Sequence, residues 1–120
     1  MELDPNSLER IVPDELRSED RTGAETLRLS TERYEFASKF VGRGRVLDLA
    51  CGVGYGTRIL TDGSEAVCGL GVDLAESAIE YANQRYANPR TTYQAHDAMR
   101  FEDPEGFETI VSKHEFRAGA

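Results

Sequence analysis

Acids and glycines carry the chemistry-bearing pattern of this chain. Asp48 sits inside the apolar run Val46-Leu47-Asp48-Leu49, which empties into Ala50-Cys51-Gly52-Val53-Gly54-Tyr55-Gly56. Glycines let a backbone turn sharply and let a ligand approach where a Cβ would stand in the way. Asp73 closes a second apolar run, Val67 to Val72, and lies 19 residues beyond Gly54. That is close to the roughly 20-residue spacing at which an acid reaches a bound ribose, whose two hydroxyls a carboxylate can accept together. A third acid, Asp97, follows a third candidate strand, Thr91 to Gln94. The pattern points to recognition of a nucleotide-like molecule at strand ends. Asp73 and Asp97 each also have a plainer reading as turn residues or, for Asp73, a helix cap.

These residues need strands to end beside one another and helices to start there. Thr22-Gly23-Ala24-Glu25 has capping-box spacing, and Leu27, Tyr34, Ala37, Phe40 and Val41 recur near the helical period until Gly42 and Gly44. The first strand is Val46 to Leu49, and a helix begins near Thr57-Leu60 and stops at Asp62-Gly63. A second strand runs about Ala66 to Val72, a helix about Glu76 to Ala87 until Asn88-Pro89, and a short strand about Thr92 to Gln94. After the polar turn Glu102-Asp103-Pro104-Glu105-Gly106 comes a fourth strand, Glu108 to Ser112. Strand and helix in alternation predict an α/β fold with a parallel sheet and right-handed crossovers.

With these motifs in this order, the chain resembles the class I S-adenosylmethionine-dependent methyltransferases from about Arg33 to Ser112. Val46 to Gly56 is similar to their first motif, Gly71-Val72-Asp73-Leu74 to the second, and His96-Asp97-Ala98 to the third. Phe107 to Ser112 is similar to their fourth strand. The resemblance implies a Rossmann-like sheet of order 3-2-1-4 with an N-terminal helix, and S-adenosylmethionine bound between strands 1 and 4. It implies that backbone groups near Ala50, Cys51, Gly52 and Gly54 meet the amino acid end of the cofactor. Asp48 would accept from the ammonium or orient the loop, Asp73 would hold the ribose, and Leu74 would pack beside the adenine. Asp97 would accept from the adenine amino group, the Ala98 N–H would reach a ring nitrogen, and Ser112 would border the sulfonium. Arg33 or Tyr34 could approach the methionine carboxylate, though both also read as ordinary helix residues. Upstream, Arg33-Tyr34-Glu35-Phe36-Ala37 is similar to a bacterial subgroup linked to sugar or envelope chemistry.

Departures from the family pattern are specific. Ala50 stands where the first loop glycine is usual, Glu108 where an Asp is usual, and Ala75 where a Ser often caps the next helix. Losing such a cap costs about 1 kcal/mol. The largest departure is length, because the family fold continues past the fourth strand. By composition, residues 1–22 read as a polar lead-in, either disordered or folded over the cofactor as a lid, 23–112 as the cofactor-binding domain and 113–120 as an exposed tail. A sheet truncated there would leave the fourth strand as a bare edge, which favours self-association or a partner chain.

Composition narrows the remaining classes. The chain has 120 residues and a net charge of −8 with no basic cluster, which argues against strong nucleic-acid binding. Cys51 and Cys68 fit no zinc spacing, so no metal is expected, and they read as small apolar filler, with Cys51 also lining the loop. No segment reads as membrane-spanning or as a signal peptide, which places the chain in the cytoplasm by default. The catalytic residue stays unassigned. His96 reads as a support of the adenine loop or a solvent-facing residue, and His114 as part of the tail. A methyl acceptor at oxygen, nitrogen or carbon fits equally. Competing readings are a non-catalytic S-adenosylmethionine-binding subunit, an inactive remnant, and a dinucleotide oxidoreductase. The last is disfavoured by Thr57 at the position of its third glycine and by Asp48 within the strand.

Overall fold

The structure, a computed structural model, describes residues 21–112 and 116–118. Helix α1 (Arg21–Ser38) leads to β1 (Arg45–Leu49), α2 (Tyr55–Asp62), β2 (Cys68–Asp73), α3 (Glu76–Arg85), β3 (Thr91–Ala95), β4 (Thr109–Ser112) and β5 (Phe116–Ala118). One sheet holds the strands in the order β3-β2-β1-β4-β5. The first four are parallel, as expected. The lead-in and His114 lie outside the described residues.

A fifth strand corrects one expectation. Phe116–Ala118 pairs antiparallel with β4 through Val111↔Phe116, Ile110↔Arg117 and Thr109↔Ala118. The outer edge of β4 is thus paired rather than bare, and the argument for self-association through that edge loses its basis. Three residues expected in a tail supply the ladder, because an open row of β4 backbone groups is satisfied by any returning segment.

Helix boundaries follow local chemistry. The capping-box residues Thr22 and Glu25 fall inside α1, which already includes Arg21. Helix α2 starts on Gly54 and ends at Gly63, whose N–H reaches the Ile59 carbonyl. Asn88 sets the start of β3: its side-chain oxygen accepts from the N–H groups of Arg90 and Thr91 at 2.9 and 2.7 Å.

The register assigns the faces. Val46 and Asp48 of β1 align with Gly69 and Gly71 of β2, with Thr91 and Tyr93 of β3, and with Thr109 and Val111 of β4. Helices α1, α2 and α3 all cover this face. Ala37 of α1, Val41 just beyond it and Leu60 of α2 pack on Val46 and Val111, while Ile79 and Ala82 of α3 pack on Tyr93 and Cys51. Leu60 and Val46 are fully buried, each contributing roughly 1.5–3 kcal/mol by apolar burial. The opposite face carries Leu47, Leu49, Leu70, Val72 and Ile110, covered by Phe101 and Phe107 of the β3–β4 connection. That connection is tied to β1 by Arg45, which donates to Asp103 at 2.7 Å and to the Gly106 carbonyl at 2.9 Å and lies over the Phe107 ring.

Helix α2 lies unusually close to β2. Thr57 and Thr61, four apart on α2 and fully buried, sit over Gly71 and Gly69, two apart on β2. Four helical residues advance about 6.0 Å and two strand residues about 6.6 Å, so the two pairs stay in step. A Cβ at Gly69 would stand 2.1 Å from Thr61 Oγ1, and one at Gly71 would stand 2.7 Å from Thr57 Oγ1. The glycines of the second strand therefore bring the helix against the sheet.

Candidate functional site

The strands end level with one another. Leu49 aligns with Val72 on one side and Ser112 on the other, and Val72 aligns with Gln94. Past that line the chain presents Ala50 to Gly54, Asp73-Leu74 and His96-Asp97-Ala98, with Ser112 half-buried at the end of β4. The carboxyl edge thus collects the residues marked in the sequence, at the point where β1 has neighbours reached in opposite directions. Such a switch point is where open α/β sheets bind ligands.

The loop after β1 is a tight backbone coil. Ala50, Gly52 and Gly54 all have positive φ, at 59°, 61° and 100°. Ala50 holds this conformation with a side chain, at a cost of about 1 kcal/mol relative to glycine. The Cys51 N–H donates to the Val72 carbonyl at 2.9 Å, and the Gly52 N–H donates to the Asp73 carboxylate at 2.8 Å. The other Asp73 oxygen accepts from the Ala75 N–H at 2.9 Å. Asp73 therefore joins the loop after β1 to the start of α3, where Ala75 supplies no side-chain cap. The contacts of Asp73 are those of the turn residue that was the alternative to its expected ribose role.

Asp48 is fully buried on the helical face, beneath the loop. Its oxygens accept from Thr57 Oγ1 at 2.7 Å and from the Tyr34 hydroxyl at 3.2 Å. Both of these partners stand on helices, so Asp48 ties α1 and α2 to β1 beneath the loop. Burial, with the Asp48 charge beside it, holds the Tyr34 hydroxyl well above the ordinary phenol range. Tyr34 also lies against Gly56, where a Cβ would be 2.1 Å from its ring, and edge-on to Tyr55. The Tyr55 hydroxyl in turn donates to Ser30 at 2.8 Å. Tyr34 thus meets the loop from below, while Arg33 is exposed on α1.

Cys51 turns inward, 5% exposed among Ile79, Ala82 and Tyr93, and burial pushes its thiol far above the ordinary range. It contributes backbone to the loop and packing to the core, so both readings of it meet in one residue. Leu74, just past the end of β2, is an apolar side chain 69% exposed. Asp97 is half-buried and accepts from the Met99 N–H at 2.9 Å, which shapes the turn holding Ala98. His96 packs edge-on against Phe101, its Nδ1 3.0 Å from the Asp97 carbonyl oxygen. Sequence reasoning missed Thr57 as a partner of Asp48 and missed Tyr93, whose hydroxyl donates to the Gly54 carbonyl at 2.6 Å. Neither belongs to a motif, and only the packing of α2 and β3 brings them in. Among the described residues no group of three or more His, Cys, Asp or Glu side chains could hold a metal ion.

A parallel sheet of order 3-2-1-4, with a glycine coil and a strand-end acid at the switch point, defines a Rossmann-like domain of the nucleotide-cofactor class. The chain belongs to the methyltransferase domain family, whose profile matches residues 46–118. The resemblance of its motifs to class I S-adenosylmethionine-dependent methyltransferases is borne out. Among solved structures it is similar to one of a complex between the Trm112 methyltransferase activator of Haloferax volcanii and a methyltransferase, at 23% identity and a TM-score of 0.62 over 79% of this chain and 43% of that one. It is also similar to an S-adenosylmethionine-dependent methyltransferase from Mesorhizobium loti, at 27% identity and a TM-score of 0.57 over 68% of this chain and 38% of that one. A third, from Thiobacillus denitrificans in complex with S-adenosyl-L-homocysteine, has 20% identity and a TM-score of 0.57 over 70% of this chain and 35% of that one. The chain thus spans less than half the length of each of these three. No curated protein matches it.

Proposed function

We propose that this chain is the cofactor-binding part of an S-adenosylmethionine-dependent methyltransferase. The observation that carries the proposal is the Gly52–Asp73 hydrogen bond, which sets the loop after β1 and the acid after β2 as one unit at the switch point. By residue type and position at the strand ends, the site suits the parts of the cofactor, with the loop N–H groups of Cys51, Gly52 and Gly54 already bonded within the protein. Backbone groups of Ala50, Cys51, Gly52 and Gly54 would hold its amino acid end, with Asp48 fixing the loop from below. Asp73 would take the ribose, Leu74 the adenine face, and Asp97 with the Ala98 N–H the adenine edge, while Ser112 would border the sulfur. When bound, S-adenosylmethionine supplies an electrophilic methyl group on a sulfonium, so the protein's share is binding, alignment and exclusion of water.

The methyl acceptor is a small molecule or a macromolecule that meets the sulfur from the β4 side. The net charge of −8 makes strong phosphate-driven binding of nucleic acid a poor fit. Among the described residues no helix is long and apolar enough to cross a membrane, and a cytoplasmic location is part of this proposal. A second reading keeps the cofactor site and gives the acceptor site to another chain. It is favoured by the similar structure solved as a complex between the Haloferax volcanii activator and a methyltransferase.

The test is calorimetric titration of the chain with S-adenosylhomocysteine, beside Asp73→Ala, with circular dichroism on both. Binding by wild type that a folded Asp73→Ala loses supports the cofactor site. A folded wild-type chain that binds nothing sinks it. Methyl transfer by the isolated chain would remove the second reading.

A further inference from the structure

We propose that Tyr93 is a positioning residue for the cofactor: from β3 it holds the exit of the glycine loop in its binding conformation. The inference rests on the cofactor reading given above. Tyr93 is 7% exposed and lies in register with Gly71 and, one strand further, Asp48. Its ring occupies the space that two glycines leave. A Cβ at Gly71 would stand 2.7 Å from Tyr93 Cδ1, and one at Gly54 would stand 2.8 Å from Cε1. The ring therefore passes over β2 and reaches the loop that follows β1.

There its hydroxyl donates to the Gly54 carbonyl at 2.6 Å. That same carbonyl accepts the first helical bond of α2, from the Arg58 N–H, at a longer 3.4 Å. Gly54 is the N-cap of α2, at φ 100° and ψ −5°, with no side-chain cap of its own. A glycine at an uncapped helix start is the freest joint of the loop. The trans peptide holds the Gly54 carbonyl and the Tyr55 N–H antiparallel within one plane, so fixing the first fixes the direction of the second. A phenol at its ordinary value of 10.0 is already a donor at neutral pH, and burial pushes the Tyr93 hydroxyl further up. The hydrogen bond joins the strand that leads to Asp97 and Ala98 with the loop that would hold the amino acid end of the ligand.

Titrations of the full chain with S-adenosylhomocysteine and with adenosine test this, followed in the backbone amide spectrum of isotope-labelled wild type and Tyr93→Phe. Adenosine lacks the amino acid end and does not need the loop exit. The Tyr93→Phe variant should stay folded, shift the Tyr55 and Arg58 amides, weaken S-adenosylhomocysteine by about tenfold and leave adenosine unchanged. Unchanged S-adenosylhomocysteine affinity, or equal weakening of both ligands, would overturn the assignment. Tyr93→Leu, which also removes the ring, should lose thermal stability as well. A Tyr93→Phe as unstable as Tyr93→Leu would mean a purely structural role and also overturn the assignment. A folded wild-type chain that binds neither ligand fails the cofactor reading itself, a failure visible before any variant is made.

Discussion

The Gly52 amide donates to the Asp73 carboxylate at 2.8 Å across two adjacent strand ends, in a site where Asp73 is 2% exposed. One buried side chain thereby sets the loop after β1, the start of α3 and the edge between them.

Asp73→Ala should strand the Gly52 and Ala75 N–H groups together. Removing a charged acceptor from two buried donors is expected to cost roughly 2–4 kcal/mol, seen as a lowered urea midpoint. Asp73→Asn, which keeps one acceptor oxygen, should lose less.

Alkaline pH should destabilise the fold in a defined window. Cys51, Tyr34, Tyr55 and Tyr93 are all raised by burial, while their ordinary values are 9.0 for the thiol and 10.0 for the phenols. The unfolded chain loses these protons first, so stability is fully present below pH 9 and falls as the pH rises above it. Thermal midpoints measured across this range should show the decline, with a shallower limb in Tyr34→Phe and Tyr93→Phe.

Helix α3 lacks a side-chain cap at Ala75, whose φ and ψ are already those of a capping residue. Ala75→Ser should stabilise the chain by about 1 kcal/mol, read as a higher urea midpoint with an unchanged slope. Competition from Asp73 for the same turn would show as a smaller gain.

The fit of α2 on β2 is open to a double-mutant cycle. Gly69→Ala places a methyl against Thr61 Oγ1, a stiff β-branched side chain with no room to turn, and should cost about 1–3 kcal/mol. Adding Thr61→Ala should return part of that loss, and equilibrium unfolding of all four proteins would measure the coupling.

Much of the site could be read without coordinates. Asp48, the Ala50–Gly54 loop and Asp73 lie in local patterns, because a strand–turn–helix unit writes its apolar run, its glycines and its closing acid into neighbouring positions. The alternation of strands and helices likewise implied a parallel sheet with crossovers of one hand, while its order β3-β2-β1-β4 was legible only through the family resemblance. The strand ends shifted by one or two residues, as backbone pairing rather than side-chain type sets where a ladder stops.

Tertiary structure alone decided the rest. Whether Asp48 faces a ligand or the interior depends on Tyr34 and Thr57, which reach it from two helices. That Tyr93 governs Gly54, 39 residues away, depends on two glycines lying in its path. The pairing of Phe116–Ala118 with β4 has no period of its own in three residues, and needs a neighbouring strand to exist. Local patterns name the backbone a segment will adopt. Which side chains meet is fixed by packing between segments far apart in the chain, and no short window of residues contains that information.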